Sequence, residues 1–335
     1  MAEPSIRDVA RTARVSTATV SRVLNQNPNV KPHLRTRVLE AMEALRYEPS
    51  GIARSMRNQS NKTIGLVIAD IQNPYFSSIM RSVEERAYAL QYSVLLGNSD
   101  DDPVRERQYL ELLARERIAG AIIFPVATDA AAYAMRRPMP MVFFDRQVPG
   151  VSVDAVLLDH EYGGRLVAEH LLALGHERIG VVAARPHYPG LEARKNGCIN
   201  ALRAAGIVVD PALVGWGRVS REEGGYQAAM DLLSMSNRPT ALMAVNNVRT
   251  QGMLRAVRDS GLRVPEDISL VGFDDSPWFS LLTPPLTTVR QPIYEIGQET
   301  VRLLMKKISE GDESQPEIVV LRPSLVERAS TRALA

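Results

Sequence analysis

The sequence predicts two architectures in one chain: an N-terminal all-α headpiece of the helix-turn-helix type, followed by an α/β body of two doubly wound parallel-sheet subdomains. Three observations lead there. Up to about Pro49, apolar residues recur at helical spacing in three short stretches divided by turn residues. From Ile64 onward, short apolar runs alternate with amphipathic stretches, the pattern of parallel strands covered on both faces. The 335 residues exceed one ordinary core and suffice for two or three. The division is a headpiece over 1–49, a linker over 50–62 and a body over 63–335.

The first helix spans 5–13, where Ile6, Val9, Ala10 and Ala13 share a face. Ser5 is its N-cap, and Asp8 stands three residues on, as in a shortened capping box. After the tight "RVS", Ser16 caps a second helix that runs to about Asn25, with Val20, Val23 and Leu24 inward. Pro28 stops it. The third helix runs from Pro32 to Leu45 and sets Leu34, Val38, Leu39, Met42 and Leu45 on one stripe. The linker "SGIARSMRNQSNK" is polar and arginine-rich, with room in "IARSMR" for two helical turns.

In the body, "IGLVIAD", "YSVLLGN", "AGAIIFPV", "MVFFD", "RIGVVA", "ALMAVN" and "ISLVGFDD" read as strands. Helices fill 76–90, 104–117, 161–174, 191–205, 223–234 and 247–260. Seven or more such strands fit two subdomains better than one. Ligands in such sheets lie at the carboxyl ends of the strands.

Composition narrows the function classes. Hydrophobic content of 45% with 23% charged residues suits a folded globular chain rather than a disordered one. Cys198 is the single cysteine, which excludes an internal disulfide and a zinc site built on several thiolates. The opening "MAEPSIRDVA" lacks the basic start and apolar run of a signal peptide, and no apolar run approaches bilayer length. A reducing cytoplasm, away from any membrane, is the expected location. Residues 1–60 carry ten Lys/Arg against five acids, so this segment is +5, and a net charge of +2 leaves the rest at −3. A basic head on a mildly acidic body suits a polyanion partner for the head alone, or else a solvated basic face.

The stretch "VSTATVSRVLN" chooses between these. A helix, a tight turn and a second helix form the motif whose second helix enters the major groove. Thr17, Ala18, Ser21 and Arg22 fall opposite Val20, Val23 and Leu24, on the exposed side. Arg22 can donate twice to guanine, and the methyls of Thr17 and Ala18 can meet a thymine methyl. Ser16, Ser21 and Asn25 suit phosphate oxygens. One such residue is an ordinary cap or surface group; as a set they favour DNA.

"IRDVARTARVSTATVSRVLN" and "NVKPHLRTRVLEAMEALRYEPSGIARSM" resemble the headpiece of the LacI/GalR family of bacterial transcription regulators. The body is similar in the same order through "IGLVIADIQNPYFSSIMRSVE", "HLLALGHERIGVVA", "ALRAAGI", "GLRVPEDISLVGFDDSPW", "LLTPPLTTVRQPIYEIGQ" and "LRPSLVERAST". The resemblance implies a homodimer, with a tetramer open, holding two headpieces on near-palindromic double-stranded operator DNA. It implies a periplasmic-binding-protein-like body that senses a small-molecule effector, with repression as the default. It places Thr17, Ala18 and Arg22 at base-reading positions and Ser21, Asn25 and Tyr47 at backbone-contacting ones. Ala53 and Met56 fall on the hinge helix that wedges an apolar side chain into the minor groove; Met56 stands for the usual leucine, and methionine can serve as such a wedge. Arg14 stands where the family has glycine, at a cost of about 1 kcal/mol if the backbone is left-handed there. Gly51 opens the hinge helix and disfavours it by about 1 kcal/mol relative to alanine.

The resemblance also implies a ligand cleft between the subdomains. Strand ends supply candidates: Asn73, Tyr75 and Phe76; Asp145 and Arg146; Asn246 and Asn247; Asp274 and Asp275. Arg194 falls at the family's R-x-x-G arginine, completed by Gly197. Carboxylates, amides and an arginine beside an aromatic wall suit a polyhydroxylated ligand, since each hydroxyl donates and accepts. The alternatives are a loop cap for Asp274, an Arg194–Asp274 ion pair, and core roles for Tyr75 and Phe76. Asn247 replaces a common aspartate, Arg249 enters near the cleft, and Ser220 replaces a common stacking aromatic. That pattern makes the pocket less negative and raises an anionic sugar derivative beside a neutral sugar.

Two other classes compete. A carbohydrate-binding receptor without a DNA role fits the body and not the basic head. An enzyme is disfavoured: no "GxGxxG" or "GxxxxGK[ST]" occurs at a strand-to-helix turn, Cys198 has no activating partners, and His170 and His176 around "LLALG" read as packing or capping residues. No cofactor and no metal are expected.

Overall fold

Helix α1 (Ile6–Thr12) starts where Asp8 reaches back to Ser5, accepting from its backbone N–H at 2.9 Å and its hydroxyl at 2.6 Å. The computed structural model that shows this describes residues 4–24, 27–47, 62–126, 139–184, 189–217, 221–311 and 315–334. The chain divides into two units, residues 1–61 and 62–335.

In the first unit, α1, α2 (Thr17–Leu24) and α3 (Pro32–Leu45) enclose Val9, Ala10, Ala13, Val20, Val23, Val30, Val38 and Ala41. Arg14 is left-handed, with φ 49°. Arg37 fastens this turn, donating to the carbonyls of Ala13 at 2.6 Å and Arg14 at 3.2 Å. Ser16 Oγ accepts from Thr19 N–H at 3.1 Å and so caps α2. Two side chains depart from expectation. Leu39 is 52% exposed, because it stands about 100° from Val38 while Leu34, Ala41, Met42 and Leu45 cluster near Val38. Ser21 is 8% exposed, on the flank of the Val20 stripe rather than opposite it.

The second unit holds two six-stranded sheets. The first has the order β11-β5-β4-β3-β1-β2, built from β1 (Thr63–Ile68), β2 (Ser93–Asn98), β3 (Gly120–Ile123), β4 (Met141–Asp145), β5 (Asp154–Leu158) and β11 (Ile318–Leu321). The second has the order β12-β10-β9-β8-β6-β7, built from β6 (Ile179–Ala183), β7 (Val214–Trp216), β8 (Ala241–Ala244), β9 (Ser269–Phe273), β10 (Thr287–Arg290) and β12 (Ser324–Val326). All pairings are parallel except that of β10 with β12. The chain passes between the sheets three times: after β5, after β10, and between β11 and β12.

Helices cover both faces of each sheet, as buried parallel strands require. In the first subdomain, α4 (Pro74–Ala89) and α10 (Ile293–Glu310) close a core around Phe76, Ile79, Val83, Phe144 and Leu304. Opposite, α5 (Pro103–Arg115) covers Leu110, Leu113, Ile123 and Phe143. In the second, α6 (His160–Ala173) and α7 (Pro189–Ala204) cover Val167, Leu171, Leu202 and Phe273. The other face takes α8 (Arg221–Leu233) and α9 (Asn247–Asp259), around Leu232, Met253 and Leu270. The six predicted body helices stand within one or two residues of these ends. The structure adds α10 and five short strands, β5, β7, β10, β11 and β12.

Helices α6 and α7 pack backbone to backbone. A Cβ on Gly164 would lie 2.8 Å from the Arg194 carbonyl carbon, and one on Gly197 would lie 2.8 Å from Glu161 Cα. The glycine of R-x-x-G is therefore what lets α7 approach closely enough to aim Arg194.

Candidate functional site

Nine strand ends of the second unit converge on one cavity of about 470 Å³, within the usual range for ligand pockets. The first sheet supplies Asp70, Tyr75 and Phe76 after β1, Asp100 and Asp101 after β2, Phe124 after β3, Asp145 and Arg146 at β4, and His160 after β5. The second supplies Ala184 and Arg194 after β6, Asn246 and Arg249 after β8, Asp274 after β9, and Gln291 after β10.

Local geometry sets each side chain. Asn73 caps α4 by accepting from Tyr75 N–H at 3.0 Å, which turns Tyr75 and Phe76 to the strand ends. Phe76 meets Phe124 edge-on at 4.8 Å, while Tyr75 donates its hydroxyl to Asp145 Oδ1 at 2.9 Å. Both aromatics thus serve core and wall together. Asp145 ends and Asp274 directly follows the third-placed strand of its sheet, and both are left-handed, with φ 68° and 63°. Non-glycine residues in that region cost about 1–3 kcal/mol each and cluster at ligand clamps.

Arg194 is buried and held on two sides. Its Nε donates to His160 Nδ1 at 3.2 Å, and its Nη1 donates to the Val245 carbonyl at 3.0 Å and meets Asp274 Oδ1 at 3.4 Å. The guanidinium lies 4.0 Å over the Phe273 ring. Asp274 also accepts from Asn247 N–H at 3.0 Å and from the Gln291 amide. The ion pair and the cavity wall, alternatives on sequence grounds, coexist.

Burial alone would raise the Asp145 carboxyl, but His160, Arg194, Arg146 and the Tyr75 hydroxyl more than offset it and hold Asp145 below the usual carboxylate range. Burial and Asp145 push the Tyr75 hydroxyl well up, so it stays a donor. Burial, with Arg194 adding to it, keeps His160 below the ordinary imidazole value despite Asp145.

Some expected residues sit elsewhere. Asn247, 1% exposed, is off the cavity wall; its amide donates to Asn73 Oδ1 at 2.7 Å, a bond from one subdomain to the other. Asp275 is taken by Arg290, Arg328 and Thr288 at 2.6–2.8 Å, a clamp across β10 and β12. Asn246 does both jobs, lining the cavity and capping α9 through Arg249 N–H at 2.9 Å. Ser220 lies outside the described residues. His160 and Gln291, absent from the sequence-based candidates, follow β5 and β10, so the strand-end rule would have found them had those strands been recognised. His170 bonds Thr331 at 3.0 Å, and His176 bonds Thr240 and the Arg332 carbonyl at 2.9 and 3.0 Å, tying the C-terminal stretch down. No group of His, Cys, Asp and Glu that could hold a metal occurs among the described residues, and no described helix is long and apolar enough to cross a membrane.

On the first unit, α2 presents Thr17, Ala18 and Arg22 to solvent, with Tyr47 half-buried. Ser21, buried, does not join that face. Asn25, Ala53 and Met56 lie outside the described residues.

Residues 5–50 match bacterial regulatory proteins of the lacI family, and residues 168–331 match a periplasmic binding protein-like domain. The chain is 34% identical to the HTH-type transcriptional repressor PurR of Haemophilus influenzae (strain PittEE), over 98% of this chain and 99% of the relative. It is 36% identical to the HTH-type transcriptional regulator GalR of Escherichia coli (strain K12), over 97% and 95%. A solved lac repressor dimer, bound to operator and the anti-inducer ONPF, superposes with a TM-score of 0.85 at 31% identity, over 99% of this chain and 100% of that one. With both domains matched and whole-length relatives above 30% identity, the chain belongs to the lacI family of bacterial regulatory proteins and is a DNA-binding transcriptional regulator under small-molecule control.

Proposed function

We propose that the protein is a cytoplasmic, homodimeric repressor with no catalytic step, whose operator affinity is set by a neutral polyhydroxylated ligand such as a sugar. The division is a headpiece over 1–49, a hinge over 50–62 and a sensor body over 63–335. Thr17, Ala18 and Arg22 read bases. Asn25, Tyr47, Ala53 and Met56 support docking and the hinge wedge.

The observation that carries the ligand class is the charge of the cavity. Five carboxylates (Asp70, Asp100, Asp101, Asp145, Asp274) face three guanidiniums (Arg146, Arg194, Arg249); Arg194 already meets Asp274, and counting Arg105, which pairs with Asp100 at 3.5 Å from outside the wall, still leaves acid in excess. That surplus of acid repels an anion and supplies acceptors for hydroxyls. The anionic ligand raised by Asn247 and Arg249 is therefore set aside. Asp145, Arg194, Asn246 and Asp274 are the polar contacts, and Tyr75, Phe76 and Phe124 form the wall.

Ligand acts only through a difference in affinity between two cleft arrangements. A change in the cleft alters the spacing of the two hinges of a dimer, and so the cost of seating both headpieces on half-sites. Mobility shift on DNA upstream of the chain's own gene tests the first claim, and calorimetry with neutral sugars and sugar phosphates tests the second. Tight binding of phosphates alone overturns the neutral class. Deleting residues 1–60 is expected to abolish DNA binding and leave a folded, ligand-binding dimer; an unfolded or monomeric product refutes the division.

A further inference from the structure

Arginine has donors and no acceptor, so the 3.2 Å contact between Arg194 Nε and His160 Nδ1 settles the imidazole. Nδ1 must carry a lone pair. The ring proton then sits on Nε2, which donates to the Asp145 carbonyl at 3.2 Å. His160 thereby joins the end of β4 in the first sheet to α7 of the second subdomain. Of the guanidinium nitrogens, Nε and Nη1 are engaged by protein, while Nη2 meets no protein acceptor among the described residues. Arg194 and His160 both line the cavity.

We infer that His160 is the positioning residue of the effector site: its neutral Nδ1 holds Arg194 so that Nη2 faces the ligand, and uptake of a proton at Nδ1 releases that hold. This rests on the cavity being the effector site. Protonation sets Nδ1–H against Arg194 Nε–H, two donors with like charges. The charged groups around the ring are Asp145 and Arg146 at the end of β4, Arg194 on α7 and Asp274 after β9, with the Tyr75 hydroxyl on α4 reaching it through Asp145. Asp145 and Asp274 favour the imidazolium and Arg194 opposes it. Burial outweighs these charges, so the neutral form prevails at neutral pH and the switch lies on the acid side of the ordinary imidazole value. Geometry gives the consequence: the arginine loses its Nε anchor and keeps its Nη1 contacts and its stacking on Phe273.

The test is nuclear magnetic resonance of ligand-free, full-length 15N-labelled protein from about pH 8 to about pH 5. Its outcome is independent of which effector binds. At pH 8 the His160 ring should show a bare Nδ1 and a protonated Nε2. One slowly exchanging arginine Nε–H resonance, assigned by its loss in Arg194→Lys, should disappear as His160 titrates. His160→Asn, whose side-chain oxygen takes the place of Nδ1, should retain that resonance with no pH response. His160→Leu should lack it throughout. A proton on Nδ1 at pH 8, the same pH-dependent loss in His160→Asn, or persistence of the resonance in His160→Leu overturns the inference. Should either variant fail to fold, the wild-type titration decides alone.

Discussion

Gly197→Ala separates the aiming of Arg194 from its charge. The added Cβ would collide with the Glu161 carbonyl oxygen and stand 2.8 Å from Glu161 Cα, where ordinary contact begins near 3.4 Å, so α7 must retreat from α6 by well over about 0.6 Å. Arg194, one turn earlier on α7, holds the Val245 carbonyl at 3.0 Å and His160 at 3.2 Å. Even a 0.6 Å retreat from α6 carries the His160 contact past the roughly 3.5 Å where a hydrogen bond ceases to count. Overpacking costs about 1–3 kcal/mol. At roughly 2–4 °C per kcal/mol for a unit of this size, the melting point should fall by about 2–12 °C while the fold survives. Calorimetric melting measures this. Titration with a sugar that raises the wild-type melting point measures the site, and the variant should lose that response while still binding operator. A variant that melts with wild type and keeps its sugar response refutes the account of R-x-x-G as a helix-approach motif.

Four further outcomes follow from the same geometry. Lys307 and Asp154 form a buried ion pair at 3.2 Å, and Asp154 also accepts from Glu317 N–H at 2.7 Å; Lys307→Met should cost about 3–5 kcal/mol in urea unfolding, with much of it recovered in the Lys307→Met, Asp154→Asn double variant. Cys198 is buried and its thiol pushed up to about 12, so thiol reagents at neutral pH should label it only as the body unfolds. Arg22→Ala should leave the headpiece folded, as Arg22 is exposed, and cost operator discrimination about 1–3 kcal/mol in competition with random DNA. Burial holds His160, His170 and His176 below the ordinary imidazole value; above about pH 6.5 folded and unfolded chains bind these protons alike, and below it the unfolded chain binds more, so stability should decline from about pH 6.5 downward.

The strand-end rule shows what a single sequence discloses and where it stops. Strands β1, β4, β8 and β9 are apolar runs buried along nearly their whole length, and their ends delivered Tyr75, Asp145, Asn246 and Asp274. Strand β10 is "TTVR", whose buried threonines are satisfied by Asp275 and the Arg328 carbonyl; nothing in local polarity marks it, so Gln291 went unseen. Strand β5 begins with Asp154, made tolerable by Lys307 from a helix some 150 residues on, so His160 was lost with it. Ser21 and Leu39 failed for a different reason. A helical stripe has edges, and which edge residue is covered depends on the neighbouring helix rather than on the helix itself.

The distribution of polar contacts explains how so small a ligand could govern the body. The cores of the two subdomains are separate, each sheet being covered by its own helices. Among the described residues, two hydrogen bonds that tie the subdomains across the cleft are Asn247 to Asn73 and His160 to Asp145. A hydrogen bond contributes about 0.5–1.5 kcal/mol net, so these two together amount to about 1–3 kcal/mol. On the proposed reading, a sugar that accepts from Arg194 and donates to Asp145 and Asp274 makes contacts of that same size in one arrangement of the cleft and not the other. A difference of about 1.4 kcal/mol changes an equilibrium tenfold. The strained aspartates at the two matching strand ends fit this reading: the backbone cost is carried permanently by the sheets, so that the carboxylates are already aimed when the ligand arrives.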